Sequence, residues 1–359
     1  MNMLPTITAS QKKTVYRCPR ENLFAYVMAR RPVATSEALE FGTLSHSWLE
    51  AYFLRLKGGG GDPLDDALKA IDASAAACSP FDRAKARAMA RAYYLRWGAE
   101  DAERWEVLGA EVRFGPVPLR DHETSGEGPW LIMDGDRLRP VIIDGKIDAV
   151  VRDRRTGDVS VFEHKTAGED VTAGSAYWRR LRMDAQASMY YDGAAALGYP
   201  RIAGVIYDLL KKPRSAPLRA TPEAARKWTK PTAKEPSRLY SGMRDRDETP
   251  AEYEARCLEE IAESPNQWLC RGIVVRLRSE ILEARRETAH AAKVDASARR
   301  GEWQPRNPEA CHHHGRFCSY FDVCCGEADI NNEALFKQTS GHPELDGCPE
   351  NTRVPAIGP

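Results

Sequence analysis

Hydrophobic and polar positions alternate most clearly near the middle of the chain. Gly145-Lys146-Ile147-Asp148-Ala149-Val150 and Val159-Ser160-Val161-Phe162-Glu163-His164-Lys165-Thr166 read as two strands. The turn between them, Arg154-Arg155-Thr156-Gly157, ends on a glycine able to take the positive φ such turns often need. Folding the hairpin symmetrically between Arg155 and Thr156 sets Asp148 directly opposite Glu163. Opposed residues share a face with Cβ atoms roughly 5 Å apart. Lys165 joins that face, and Phe162 and His164 point the other way.

Around this hairpin the period lengthens to that of helices. Residues 10–31 read as one helix with an apolar face of Leu23, Phe24, Val27 and Met28, and residues 38–56 as a second carrying His46, Trp48 and Leu49. Four glycines, 58–61, break the chain before an alanine-rich helical stretch, 64–97, interrupted at Ser79-Pro80. Residues 105–114 read as a strand, and short apolar runs at 131–132 and 139–143 lead into the hairpin. A helix is expected over 178–197, a β-branched strand over 202–209, and helices over 250–261 and 275–300. Strands, then a helix, then a strand imply an α/β fold, a mixed sheet flanked by helices. The expected organisation is a helical region, 1–100; an α/β core, 101–210; a basic insertion, 211–250; a helical region ending in cysteines, 251–326; and a polar, partly disordered tail, 327–359.

Composition narrows this little. The 359 residues are 42% hydrophobic and 29% charged, enough for a core and a soluble surface. Lys plus Arg equals Asp plus Glu at 52 each, so the distribution of charge matters more than its sum. Basic residues dominate 211–246, where Lys227, Lys230 and Lys234 are candidate phosphate contacts on an extended arm; a solvated insertion is the plain alternative. No apolar run reaches the length of a membrane span and no signal-peptide pattern begins the chain, so a cytoplasmic protein is expected. In a reducing compartment, nine cysteines point to ligands or packing before disulfides.

Two carboxylates and an amine on one face suggest an oxygen-preferring divalent cation, since paired like charges need neutralising. Gln186 and Tyr190, four apart on the following helix, share a face and could aim at whatever the hairpin holds. Glu111, on the preceding strand, is a second-tier acid, and a lone histidine such as His46 is more often a packing residue than a ligand. Cys311, Cys318 and Cys324 are separated by six and five residues, and three thiolates so close need a fourth partner. Cys18, before Pro19 at a helix start, is the candidate; His312, His313 and His314 offer an alternative zinc set.

In order along the chain stand Cys18-Pro19-Arg20, His46, Gly145-x-x-Asp148, Glu163-x-Lys165-Thr166, Gln186-x-x-x-Tyr190 and the cysteine triad. This ordered set resembles the RecB-type branch of the PD-(D/E)XK nucleases, including CRISPR-associated RecB-like exonucleases with an iron–sulfur cluster. Tyr207-Asp208-Leu209-Leu210-Lys211-Lys212-Pro213 is similar to phage-encoded members. The family often places two residues between its second and third cysteines, whereas six separate Cys311 from Cys318. The resemblance implies a restriction-endonuclease-like sheet and metal-dependent DNA cleavage, with exonuclease action expected. Mg²⁺ or Mn²⁺ would be held by Asp148 and Glu163 with His46, beside Lys165, Gln186 and Tyr190. A [4Fe–4S] cluster on Cys18, Cys311, Cys318 and Cys324 would pin the chain ends together. DNA and recombination, repair or CRISPR-type proteins are the implied partners. A DNA-binding scaffold with a nuclease-like fold and a zinc-stabilised assembly module are the alternatives.

Overall fold

The computed structural model describes residues 6–34, 37–74, 78–120, 128–231, 236–313 and 315–347. In chain order the main elements are α1 (Ala9–Arg17), α2 (Glu37–Gly58), α3 (Pro63–Ala73), α4 (Pro80–Arg104), β1 (Trp105–Arg113), β2 (Lys146–Asp153), β3 (Val159–Ala167), α5 (Ala176–Leu181), α6 (Ala185–Ala196), β4 (Val205–Lys211), α7 (Pro250–Glu263), β5 (Leu269–Val274) and α8 (Arg278–Arg299). The five strands form one mixed sheet in the order β5-β4-β3-β2-β1, with β3 at its centre. Only β3 and β4 run parallel; α5 and α6 fill the crossover between them.

Period-2 alternation explains both cores. On one face Val150, Val161, Val205, Tyr207 and Leu209 pack with Ala187, Tyr190 and Ala194 of α6 and Ala289 and Ala292 of α8. On the other face Ala149, Val151, Phe162, Ile206 and Leu210 meet Trp48, Tyr52 and Phe53 of α2 and Met89, Tyr93 and Trp97 of α4. Covering both faces therefore requires helices from 1–100 and from the region after the arm, so the core is not confined to 101–210. The fifth strand, β5, also comes from beyond that boundary. It escapes a sequence reading because Arg271 stands in its middle and Gly272 follows.

Two helix expectations are corrected. The helix expected over 10–31 is broken: α1 ends at Arg17, Cys18 is extended (φ −161°, ψ 111°), and Pro19 opens a new turn. Proline disfavours the helical conformation in the residue before it and would clash in a continuous helix. The helix expected over 178–197 is also interrupted, with Asp184 capping α6 through Gln186 N–H at 3.0 Å. Buried Arg276 bridges the gap by donating to the carbonyls of Leu181, Arg182 and Asp184. The tail expected to be partly disordered has defined structure over its described residues, 327–347. Its Phe336–Gln338 pairs antiparallel with Arg30–Pro32, and Ile330 and Phe336 pack with Phe24, Tyr26 and Tyr320. A few apolar anchors suffice to hold a mostly polar segment.

The arm between β4 and α7 folds back on itself rather than forming regular structure. Thr221 and Arg244, and Thr229 and Arg238, are joined by main-chain hydrogen bonds of 2.8 Å, with a bridge from Trp228 to Leu239. Lys227 and Lys230 lie on it; Lys234 lies outside the described residues. No helix among the described residues is long and apolar enough to cross a membrane.

Candidate metal centre and its surroundings

The β2–β3 ladder pairs Ala149 with Phe162 and Arg152 with Val159. Continuing that register by one step puts Asp148 against Glu163, at the point where the two strands separate. Gly157 takes φ +81° in the connecting loop. Gly145 is required for a different reason, since a Cβ there would lie 2.5 Å from the ring of Phe114, which fills the floor beneath the site. Phe114 in turn packs edge-on to Tyr190.

Asp148 is buried, and its Oδ2 accepts the His164 N–H at 2.8 Å. Its Oδ1 lies 3.5 Å from Nδ1 of His46, which α2 brings over the hairpin. On the other side stands Glu111. The β1–β2 ladder passes from Ala110↔Ala149 to Val112↔Ile147, leaving Glu111 beside Asp148 in a left-handed conformation (φ +50°). Non-glycine residues rarely adopt it, and such strain concentrates at functional sites. One ligand atom from each of His46, Glu111 and Asp148 lies within 4.8 Å of the others. This metal-capable set thus takes Glu111, while Glu163 sits alongside it.

Glu163 is held by its own contacts. It pairs with Lys165 and accepts the Tyr190 O–H. Lys165 donates to Gln186 Oε1 at 2.9 Å, and Gln186 Nε2 lies 2.6 Å from the Tyr190 oxygen. The four side chains form a closed ring between β3 and α6. Lys146, which no sequence motif singles out, pairs with Glu111, and its carbonyl lies 3.1 Å from the Tyr190 oxygen.

The electrostatics show carboxylates in excess. Burial and the neighbouring Asp148 push the Glu111 carboxyl up to about 7. Burial and Asp148 also raise Glu163. Asp148 itself is buried, but His46 and the His164 N–H outweigh that cost and hold it below the usual carboxylate range. His46 is pushed up to about 9, chiefly by Asp148. Burial alone would lower Lys165, yet Glu163 keeps it above its ordinary value, an ammonium at neutral pH. A donor set of two carboxylates and an imidazole with too much negative charge fits a divalent cation, and the imidazole favours Mn²⁺ over Mg²⁺.

Behind β3 lies a buried ion network that sequence patterns do not reveal. His164 Nδ1 is 3.2 Å from Asp208, which Arg271 contacts at 3.0 Å; Arg271 also pairs with Asp101, and Tyr93 donates to Asp208. Asp101, Tyr93 and Asp208 are fully buried. Breaking a buried pair strands its partners, so Arg271→Met should cost about 3–5 kcal/mol of stability. Urea unfolding checks this; a variant as stable as the parent would show that the network is not holding β5 to the sheet.

At the opposite end of α1, Cys18, Cys311, Cys318 and Cys324 line one small cavity. Burial raises the Cys318 and Cys324 thiols, while the Tyr320 N–H supports the Cys318 sulfur and Arg20 and Arg306 oppose the rise at Cys324. Cys325 is exposed and does not line the cavity. His312 does not line it either, and His314 lies outside the described residues. The four thiols thus share one cavity, with the Tyr320 N–H, Arg20 and Arg306 beside them.

The sequence profile of the PD-(D/E)XK nuclease superfamily matches residues 6–325. No curated protein matches the chain. The matched span runs from just before α1 to Cys325 and takes in the whole sheet; the chain belongs to the PD-(D/E)XK nuclease superfamily.

Proposed function

We propose that the protein is a metal-dependent deoxyribonuclease acting from strand ends, with its centre at Asp148, Glu163 and Lys165. The observation that carries the reading is the convergence of His46, Glu111 and Asp148 beside the Glu163–Lys165–Gln186–Tyr190 ring. A bound Mg²⁺ or Mn²⁺ supplies an acidified water and offsets charge developing on the phosphate. His46, Asp148 and Glu163, with Glu111 as a further oxygen donor, would hold the ion. Lys165, kept charged by Glu163, stabilises the developing negative charge on the phosphate or orients the attacking water. Gln186 and Tyr190 are positioning residues: they fix the Lys165 amine and the Glu163 carboxylate.

Cys18, Cys311, Cys318 and Cys324 are proposed to hold a [4Fe–4S] cluster with a structural role, far from the hairpin. Free cysteines throughout the described residues suit a reducing compartment, the cytoplasm of a bacterial or phage-infected cell. Recombination, repair or CRISPR-type proteins are the proposed partners, on the RecB-like motif order.

The basic arm is assigned to phosphate contacts, because Lys227 and Lys230 stand on a folded-back loop rich in cations. Neutralising Lys227, Lys230 and Lys234 together should weaken DNA binding and flatten its salt dependence, by about one slope unit per lost phosphate contact. Binding titrations at several salt concentrations test it. An unchanged affinity and slope would make the arm a solvated insertion.

A further inference from the structure

Strand β5 closes one side of the sheet. It pairs with β4 and, among the described residues, with no strand on its outer edge. Such an edge offers a row of main-chain N–H and C=O groups to another chain, and proteins usually blunt it. Here it is flanked instead by a cavity on each face of the sheet, and Arg271, Gly272 and Ile273 line both. One cavity, of about 690 Å³, lies on the α5 side, where Trp178 covers Gly272; a Cβ on residue 272 would lie 2.7 Å from its ring. The other, of about 430 Å³, lies on the α4 side against Trp97, Trp105 and Ile206. Ile273, Val275 and Leu277, at alternate positions, are 52%, 56% and 68% exposed.

The two cavities differ in charge. Arg179 and Arg182 stand exposed on the α5 side. Their neighbour Arg180 pairs with Glu169, but neither of them has a carboxylate partner among the described residues. The acid of that cavity, Glu280, accepts the Leu277 N–H at 2.7 Å. On the α4 side Arg104 is taken by Glu100 and Asp153, and Arg271 by Asp101 and Asp208. Asp158, which lines that cavity too, would repel a carboxylate. A strand laid along β5 points successive side chains to opposite faces. Acidic side chains are therefore favoured toward α5, and apolar ones toward Trp97 and Ile206.

We propose that the β5 edge docks an extended segment of a partner protein, added as a sixth strand, in which acidic residues alternate with apolar ones. Main-chain hydrogen bonds to 269–274 supply affinity, and the two cavities read alternate side chains. A nucleic-acid strand could bring phosphates to Arg179 and Arg182, but it cannot continue the ladder. Neither cavity shares a lining residue with that of the metal centre, so the proposal stands apart from the reaction assigned there.

The test uses the full chain and a labelled peptide of alternating valine and glutamate, read by fluorescence anisotropy and by hydrogen–deuterium exchange. The peptide should bind saturably and slow amide exchange in β5, and the matching valine–lysine peptide should not bind. Arg179→Glu with Arg182→Glu should keep the parental melting temperature, weaken the glutamate peptide about tenfold or more, and take up the lysine peptide instead. Methylating alternate peptide amides removes ladder donors and leaves the charges, so it should abolish binding. No saturable binding, binding without protection of β5, or equal binding of the methylated peptide would overturn the proposal. So would displacement of the peptide by a single-stranded oligodeoxynucleotide, which would make the patch a nucleic-acid surface. A dimer that the peptide dissociates in sedimentation would overturn it as well, by making a second copy of the chain the occupant.

Discussion

Replacing Asp148, Glu163 or Lys165 by alanine should each lower DNA cleavage on the order of 10²–10³-fold. Pairs of these changes should cost little more than the worse single one, because the three side chains serve one step. The folded state should survive. Each change also strands buried partners: Asp148→Ala leaves His46 and the His164 N–H without their acceptor, and Glu163→Ala leaves Lys165 without its counter-ion and Tyr190 without its acceptor, so both should lower the melting temperature modestly. Lys165→Ala likewise takes from Glu163 its counter-ion and from Gln186 its donor. It should lower the melting temperature as well as the rate. Cleavage at the parental rate by the Lys165→Ala protein would remove Lys165 from the chemistry and break the account of the ring.

The largest stability effect is expected at Cys18. Protein purified without oxygen should be brown, with broad visible absorption that bleaches on reduction. Cys18→Ser should lose the colour and the iron and melt several degrees lower, while Cys78→Ser should do neither. A cluster joining residue 18 to residues 311–324 closes a loop of nearly the whole chain and removes unfolded-state freedom. The structure bounds the loss. The same chain ends are also tied by the pairing of Arg30–Pro32 with Phe336–Gln338 and by the packing of Phe24, Tyr320 and Phe336. The Cys18→Ser protein should therefore keep its sheet and helices at room temperature by circular dichroism. Colourless parent protein carrying stoichiometric zinc would replace the cluster with a zinc site. Full iron content in Cys18→Ser would refute closure through Cys18.

What the residues reveal unaided depends on how local the deciding physics is. The hairpin register is legible because side chains alternate with period 2 and the turn fixes the fold point; Ala149 lies opposite Phe162 as that symmetry requires. The Gln186–Tyr190 contact is legible because residues four apart share a helix face, whereas the Lys165–Gln186 contact joins a strand to a helix 21 residues on. Glu111 is not legible as a close neighbour of Asp148, because its left-handed backbone and the missing ladder pair are set by the sheet. Arg271 hides β5, since a charge within a strand looks like a loop until Asp101 and Asp208 arrive from distant elements. The break at Cys18 is encoded in Pro19, but the apolar periodicity on either side masks it.

The central claim is that this fold hydrolyses DNA with a metal held at the hairpin. One assay addresses it most directly: protein purified without oxygen and incubated with end-labelled linear and covalently closed circular DNA, in Mg²⁺, in Mn²⁺ and in EDTA, beside the Glu163→Gln protein. The account predicts loss of linear DNA with either metal, faster with Mn²⁺, no loss in EDTA, sparing of the closed circles, and near-silence from Glu163→Gln. Intact linear DNA under both metals, or equal cleavage by Glu163→Gln, would contradict it.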